Sequence, residues 1–436
     1  MTSRTTIYAV SSGSLPSGVA VVRLSGAQVS QFLNSAVGRV PQERKASLFS
    51  IQHPQTGEKL DEALVVFFKG PHSFTGEDVA ELHCHGGFAT VNAVLDMLSV
   101  QEGFQPAEPG EFSRRAFENG KLDLTALEGL SDLISAQTDQ QRKQALSQST
   151  GQLRVLYDGW RSQLIRFRAL IEAEFDFADE DDVPGSVSQS VWKGVRALLS
   201  QIQGHLDDQH RGELIRDGFK VVLAGPTNAG KSSLLNALAK RDVAIVTAQP
   251  GTTRDVITVQ LDLDGYLVVI SDTAGIRDAR DLVEQEGIRR AKEAADKADL
   301  VFWLQPADQP LTKPDYESAK IVVSKSDLAS FDPIPADALK ISILADTGLE
   351  DLISFMVDQI RSKALQSDGA VMTRKRHRQA LIQTTESLES SLMDGKPLEL
   401  RAEDLRLAAD ALGRITGRID VEDLLDVIFS EFCIGK

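Results

Sequence analysis

The spacing of apolar residues changes repeatedly along the chain. To about residue 118, apolar and β-branched residues fall in short runs bounded by glycine or proline, such as Thr6–Val10, Val19–Leu24 and Ala63–Phe68. Such runs predict strands, and the segment reads as α+β. From Leu122 to about Phe177 there is no proline and little glycine, and Leu153, Leu156, Trp160, Leu164 and Phe167 recur at helical spacing. Long helices are expected there. An acidic stretch from Glu172 through Asp182 ends at Pro184 and Gly185, and reads as a solvated helix end and linker rather than a metal site. A compact α/β unit then runs from about Phe219 to Leu365. Arg374 to Lys436 returns to helical periodicity through Leu381, Leu388, Leu405, Leu412 and Ile428. The two helical stretches flank the α/β unit without obvious separate cores. They predict one helical domain, 119–215 plus 370–436, interrupted by an inserted α/β domain at 216–369 and preceded by an α+β domain at 1–118.

Composition narrows the class. A length of 436 residues suggests roughly three domains, and 42% hydrophobic with 25% charged residues is ordinary globular composition. No signal-peptide core opens the chain and no apolar run reaches membrane-spanning length, so no membrane partner is expected. Two cysteines, Cys84 and Cys433, cannot build a disulfide framework, which points to a reducing cytoplasm. The net charge of −16 argues against a simple nucleic-acid coat protein; an RNA partner would need a local basic patch or a second protein.

The α/β unit carries recognisable chemistry. Gly225-Pro-Thr-Asn-Ala-Gly-Lys-Ser232 stands between a strand-like run, Lys220–Ala224, and a helix-like one beginning at Ser233. Strand, glycine-bearing loop and helix make a phosphate cradle. Gly225 and Gly230 let backbone N–H groups turn inward, Lys231 can reach the β- and γ-phosphates, and Ser232 can ligate Mg²⁺. Asn228, Ala229 and Ser233 complete the nucleotide-facing loop. A second strand-like run, Leu267–Ser271, leads into Asp272, Thr273, Ala274 and Gly275. An aspartate at that place holds Mg²⁺ through water, and the glycine N–H can sense the γ-phosphate. Between them Gly251-Thr-Thr-Arg-Asp255 offers two hydroxyls to a switch segment.

A third run, Ile321–Val323, leads into Ser324, Lys325, Ser326 and Asp327. A carboxylate at Asp327 can accept from the N1–H and 2-amino group of guanine, which adenine does not offer, so GTP is the expected nucleotide. Ser324 departs from the asparagine usual in this motif, and Ile341–Ala345 only partly matches the usual Ser-Ala-Lys loop. Ile276 stands where many GTPases carry a water-positioning glutamine. Glu284 is the leading substitute, with Glu286 and Asp278 as rivals.

Together with the last residues, Cys433-Ile-Gly-Lys436, these motifs resemble the MnmE (TrmE) family of tRNA-modification GTPases. The likeness extends to Thr6–Ala9, Ser17–Gly26, Phe74–Gly87, Pro109–Phe117 and Asn119–Leu124, and so over nearly the whole chain. It implies a multidomain α/β and α+β fold: an N-terminal folate-binding and dimerisation domain, a helical domain and an inserted P-loop GTPase domain. It implies a 5-formyltetrahydrofolate-type folate near Arg23, Glu81, Lys121 and Lys436, and a suspected role for Cys433. It further implies a homodimer and the FAD-using partner MnmG. Together these would install an aminomethyl or carboxymethylaminomethyl group at carbon 5 of the wobble uridine of tRNA.

The family is activated by K⁺ and by pairing of G domains. By position, Asn228, Thr247, Gln249 and Thr252 would hold K⁺, Ser232 and Thr253 would hold Mg²⁺, and Glu284 matches the family's catalytic glutamate. Ala248, Pro250 and Gly251 lie in the same nucleotide-facing loop. The competing class is a regulatory or ribosome-assembly GTPase without modification chemistry; it would need neither the folate-type domain nor the C-terminal cysteine.

Three other features read more plainly. His83-Cys84-His85 invites a metal, yet on a strand the histidines share one face and Cys84 the other. Cys433 is fourth from the end, but Gly435, Lys436 and the lack of a basic cluster argue against lipidation. Arg374-Lys-Arg-His-Arg378 is either a tRNA-phosphate contact or the charged opening turn of a helix. Finally, the segment from Phe302 to Lys320 is short for the family, and prolines 306, 310 and 314 leave room for a short helix at most.

Overall fold

The computed structural model describes residues 5–176, 188–208, 210–245, 258–272, 292–314, 316, 318–364, 371–419, 425, 428–429 and 435. The chain divides into two compact units. One holds residues 1–131, 157–161 and 410–436; the other holds 132–156 and 162–409.

The first unit is built on a six-stranded sheet. Its strands are β1 (Thr6–Val10), β2 (Ser17–Ser25), β3 (Ser47–Gln52), β4 (Lys59–Phe68), β5 (Val79–Gly86) and β6 (Phe104–Pro106), in the order β3-β4-β5-β2-β1-β6. Only β1–β6 pairs in parallel. Strict alternation sends Ala20, Val22, Leu24, Ala80, Leu82, Cys84, Ala63 and Val65 to one face. There α1 (Val29–Val37) and α2 (Phe88–Ser99) cover them with Phe32, Leu33, Val94 and Leu98. The opposite face is covered at the β1–β6 end, where Phe112 of α3 (Glu111–Glu118) packs on Ile7 and Ala9. The guanidinium of Arg115 fastens α3: it is 5% exposed and donates to Glu77, Glu111 and the carbonyl of Thr5. A buried charge is tolerable when paired this fully. Elsewhere on that face Val19, Leu48 and Leu64 are exposed.

The next helices match the expected rhythm: α4 (Leu124–Ser135), α5 (Asp139–Ser149) and α6 (Gln152–Asp176), the last running 25 residues. Within the second unit, α5 starts with a capping box of Thr138 and Gln141. Helix α7 (Ser188–Leu206) precedes α8 (Arg211–Asp217), which feeds the second sheet. That sheet has β7 (Phe219–Ala224), β8 (Thr258–Leu263), β9 (Tyr266–Asp272), β10 (Leu300–Pro306), β11 (Lys320–Ser324) and β12 (Leu339–Lys340). Their order is β12-β11-β10-β7-β9-β8, parallel except for β8. Helices α9 (Lys231–Ala239) and α10 (Leu349–Ala364) close its core with Leu234, Leu238, Leu352, Met356 and Ile360.

Between β10 and β11 the described residues form no helix, in keeping with the prolines there. Helix α11 (Lys375–Ser391) packs on α7, with Gln203 bonded to Glu389 at 3.0 Å, and α12 (Leu398–Thr416) follows. No helix among the described residues is long and apolar enough to cross a membrane.

Candidate functional site

The parallel strands β7, β9, β10 and β11 all end on one edge of the second sheet, the edge at which open α/β sheets bind ligands. Ala224 pairs with Trp303, Leu223 with Asp272, and Ser324 with Pro306, so phosphate loop, acidic strand end and base loop lie side by side. Gly225 has φ 137°, and a Cβ there would sit 2.3 Å from the carbonyl oxygen of Leu304. Only glycine lets the loop leave the sheet at this point. Asn228 (φ 60°) and Gly230 (φ 90°) take left-handed conformations that turn the loop back into α9. The ammonium of Lys231, on a residue 6% exposed, donates to the carbonyls of Gly225 and Pro226 at 3.0 and 2.8 Å, and so spans its own loop. The Ser232 hydroxyl donates to Asp272 Oδ2 at 2.8 Å, and Asp272 is 1% exposed. These two oxygen donors at the loop mouth suit a hard divalent cation.

The base loop is held from two directions. The Ser324 hydroxyl donates to the carbonyl of Ala229, and the Ser342 hydroxyl donates to Asp327 Oδ1 at 2.5 Å. Ser342 itself is fixed by paired backbone bonds with Thr347. Asp327 is thereby oriented while keeping Oδ2 for a ligand. Leu344, two residues after Ser342, is 90% exposed. Lys325, at φ 55°, points its ammonium to Asp308 at 3.4 Å.

The first unit brings together a second set. Arg23 of β2 lies opposite Glu81 of β5 and grips Oε1 of that carboxylate through Nε and Nη2 at 3.1 and 2.9 Å. Glu81 Oε2 also meets His83 Nε2 at 3.3 Å. The guanidinium stands 6.0 and 5.8 Å from the rings of Phe74 and Phe112. Its Nη1 donates to the carbonyl of Gly435 at 3.4 Å, the residue before Lys436. Lys121 donates to the carbonyl of Pro71 at 2.7 Å. Cys84 points to the core, where burial and then the nearby Asp61 push its thiol up to about 12. His83 and His85 point the other way, each beside a carboxylate, Glu81 and Asp61.

Comparison with known proteins extends these local readings to the whole chain. The family model described as the GTP-binding protein TrmE N-terminus matches residues 6–121, and that of the MnmE helical domain matches residues 124–433. The tRNA modification GTPase MnmE of Rhizobium meliloti (strain 1021) is 51% identical over 441 residues, covering 100% of both chains. That of Rhizobium etli (strain CIAT 652) is 52% identical over 435 residues, covering 99% of each. The chain belongs to the MnmE family. Among solved structures, the G domain of the T. maritima FeoB iron transporter is similar at 24% identity over 34% of this chain and 98% of that one, with a TM-score of 0.24.

Membership in the MnmE family gives context to residues the structure leaves aside. Thr247, Ala248, Gln249, Pro250, Gly251, Thr252, Thr253, Thr273, Ala274, Gly275, Glu284, Cys433 and Lys436 lie outside the described residues, as do the rivals Glu286 and Asp278. Of the residues expected to hold potassium, Asn228 is described, with an exposed side chain at the bend of the loop. The rings of Phe74 and Phe112 flanking Arg23 were not singled out from sequence, since an aromatic in a mixed segment reads first as core. The basic run at 374–378 forms the opening turn of α11, the second of the two readings. Arg374 pairs with Asp132, Arg378 with Asp208 and Glu213, and His377 is buried. Those side chains are engaged inside the unit, while Lys375 is exposed.

Proposed function

We propose that this chain is a potassium-stimulated GTP hydrolase of tRNA wobble-uridine modification, working in the cytoplasm as a homodimer with MnmG. The observation that carries the reading is the convergence of Lys231, Ser232, Asp272 and Asp327 on one sheet edge, in a chain similar end to end to tRNA modification GTPases. The loop from Asn228 to Ser233 wraps the phosphates, and Lys231 exchanges its two loop carbonyls for phosphate oxygens. Ser232 and Thr253 would hold Mg²⁺, with Asp272 acting through water, and Asn228, Thr247, Gln249 and Thr252 would hold K⁺. Bound there, the cations offset charge developing on the transferring phosphoryl group. Asp327 and Ser324 shape the guanine pocket, and Glu284 orients the attacking water.

The first unit supplies the folate site. Glu81 is a carboxylate acceptor for the N–H groups of a pterin, held in place by Arg23, while Phe74 offers a ring face and Lys121 and Lys436 positive charge. The sheet face with exposed Val19, Leu48 and Leu64 is apolar surface that pairing with a second copy would cover. The domains follow the bounds 1–118, 119–215 plus 370–436, and 216–369.

Two experiments test the reading. GTP turnover in KCl is expected to exceed that in NaCl at equal ionic strength; equal rates would remove the potassium mechanism. Mass spectrometry of tRNA nucleosides from a strain lacking the protein should find wobble uridines without the carbon-5 group. Normal nucleosides would sink the modification role.

A further inference from the structure

Beside the Arg23–Glu81 pair lies a hollow of about 400 Å³ lined by Arg44, Phe68, His72, Ser73, Phe74 and Lys121. Phe74 belongs to both places, with the Arg23 guanidinium 6.0 Å from its ring. Two cations stand in the hollow. Lys121 spends one of its three N–H groups on the carbonyl of Pro71 and has no carboxylate partner among the described residues. Arg44 lies 5.7 Å over the ring of Phe68, donates once to the carbonyl of His72, and has Glu43 at 3.5 Å. The backbone of Arg44 is itself unusual. It takes φ 57°, a left-handed conformation uncommon for a side chain of this kind, and is held there by a bond from its N–H to the carbonyl of Phe67 at 2.8 Å. Strain of this kind persists where the surrounding structure imposes it, and here it aims a guanidinium along the hollow. The Ser73 hydroxyl is satisfied by Glu77, so the cations set the character of the place.

We infer that this hollow is an anion subsite for successive carboxylates of a folate's γ-glutamyl tail, and that it makes the protein prefer poly-γ-glutamyl over monoglutamyl folate. The inference rests on the folate reading above. A folate couples flat rings to a chain bearing one carboxylate per added glutamate. Phenyl rings at Phe74 and Phe68 beside a guanidinium and an ammonium match those two kinds of group. Arg44 is the residue that tests the inference alone, since Lys121 is already among the residues of the proposed folate site.

The test is equilibrium binding, by calorimetry, of monoglutamyl and triglutamyl 5-formyltetrahydrofolate to the full chain and to Arg44→Gly. Glycine suits the left-handed backbone, so the variant keeps the fold. The wild type should bind the triglutamyl form more tightly, by about fivefold for each tail carboxylate held. Added salt should reduce that advantage. In Arg44→Gly the advantage should shrink by about fivefold, and Arg44→Lys should restore part of it. Equal affinity for both tails in the wild type, or an advantage untouched in Arg44→Gly, overturns the inference and leaves the folate reading standing. Binding of neither form removes the folate reading and the inference together.

Discussion

The hydroxyl of Ser324 donates to the carbonyl oxygen of Ala229 at 2.6 Å, so the base loop is tied to the phosphate loop across the sheet edge. Ser324 is buried, and its hydroxyl does with a short arm what fixes the two loops relative to each other. Ser324→Ala would leave a buried carbonyl without this donor, at a cost of about 1–2 kcal/mol. Affinity for a fluorescent GDP analogue should fall roughly five- to thirtyfold. Unchanged affinity would mean the loops hold their spacing without the bond.

Two glycines of the phosphate loop should respond differently to alanine. At Gly225 a Cβ would meet the Leu304 carbonyl oxygen at 2.3 Å, whereas at Gly230 nothing lies within 4 Å. Gly230→Ala should therefore suffer only from its left-handed backbone, about 1 kcal/mol. Gly225→Ala adds a backbone collision and should cost at least about 2–3 kcal/mol, with GDP binding lost. Thermal unfolding with and without GDP measures both; equal losses would show that the close approach to β10 can relax.

Much of this arrangement could be read from sequence because it is local. A phosphate loop declares itself through residue types at fixed spacing, and Leu267–Ser271 and Ile321–Val323 are continuous apolar runs whose ends must carry Asp272 and Ser324. Alternation along β5 likewise foretold that Cys84 turns away from His83 and His85. What stayed hidden is non-local. The role of Ser324 depends on a carbonyl 95 residues away, and no residue type marks a carbonyl. The partners of Arg374 and Arg378, namely Asp132, Asp208 and Glu213, come from distant segments of the chain, so the pairing of these two arginines is not legible in the run itself. The half-covered second face of the first sheet depends on where α3 lands, which strand patterns alone do not specify.

The basic run leads to a separable prediction. Arg378 pairs with Asp208 at 2.6 Å and donates to the carbonyl of Leu206, with its side chain 15% exposed. Arg378→Ala should destabilise the protein by about 2 kcal/mol, between the values for exposed and buried pairs. Its tRNA affinity at fixed salt should stay within about twofold of wild type. Weakened tRNA binding with unchanged urea unfolding would reinstate Arg378 as an RNA contact.

His205, on α7, should make stability depend on pH. Burial lowers its pKa from 6.5; His377 and Arg378 lower it further, while Asp208 raises it. The unfolded chain therefore takes up the proton first as pH falls. This group's contribution is fully present above 6.5 and is lost as pH drops from there through the depressed folded value. Urea midpoints measured between about pH 7.5 and 5.5 should fall with pH, and less steeply in His205→Gln. An identical slope in the variant would place the pH dependence on other groups.

The identity of the water-orienting group decides how hydrolysis works here. Ile276 is apolar and can neither accept from nor donate to water, so a carboxylate must come from elsewhere in the following segment. Glu284 is the position similar to the family's catalytic glutamate; Glu286 and Asp278 are near it in sequence. Orienting and deprotonating water contributes about 10²–10⁴ in rate, while ground-state binding rests on the phosphate loop and Asp327. Glu284→Ala should therefore bind GTP with near wild-type affinity and hydrolyse it at least about 100-fold more slowly in KCl. Glu286→Ala and Asp278→Ala should stay within about threefold of wild type, since a carboxylate that does not orient the water contributes only to the local field. Single-turnover rates beside GTP affinities separate the cases. A Glu284→Ala rate near wild type, with collapse in either rival, would move the role to that carboxylate. Loss of binding and turnover together would instead make Glu284 part of the fold of the switch segment.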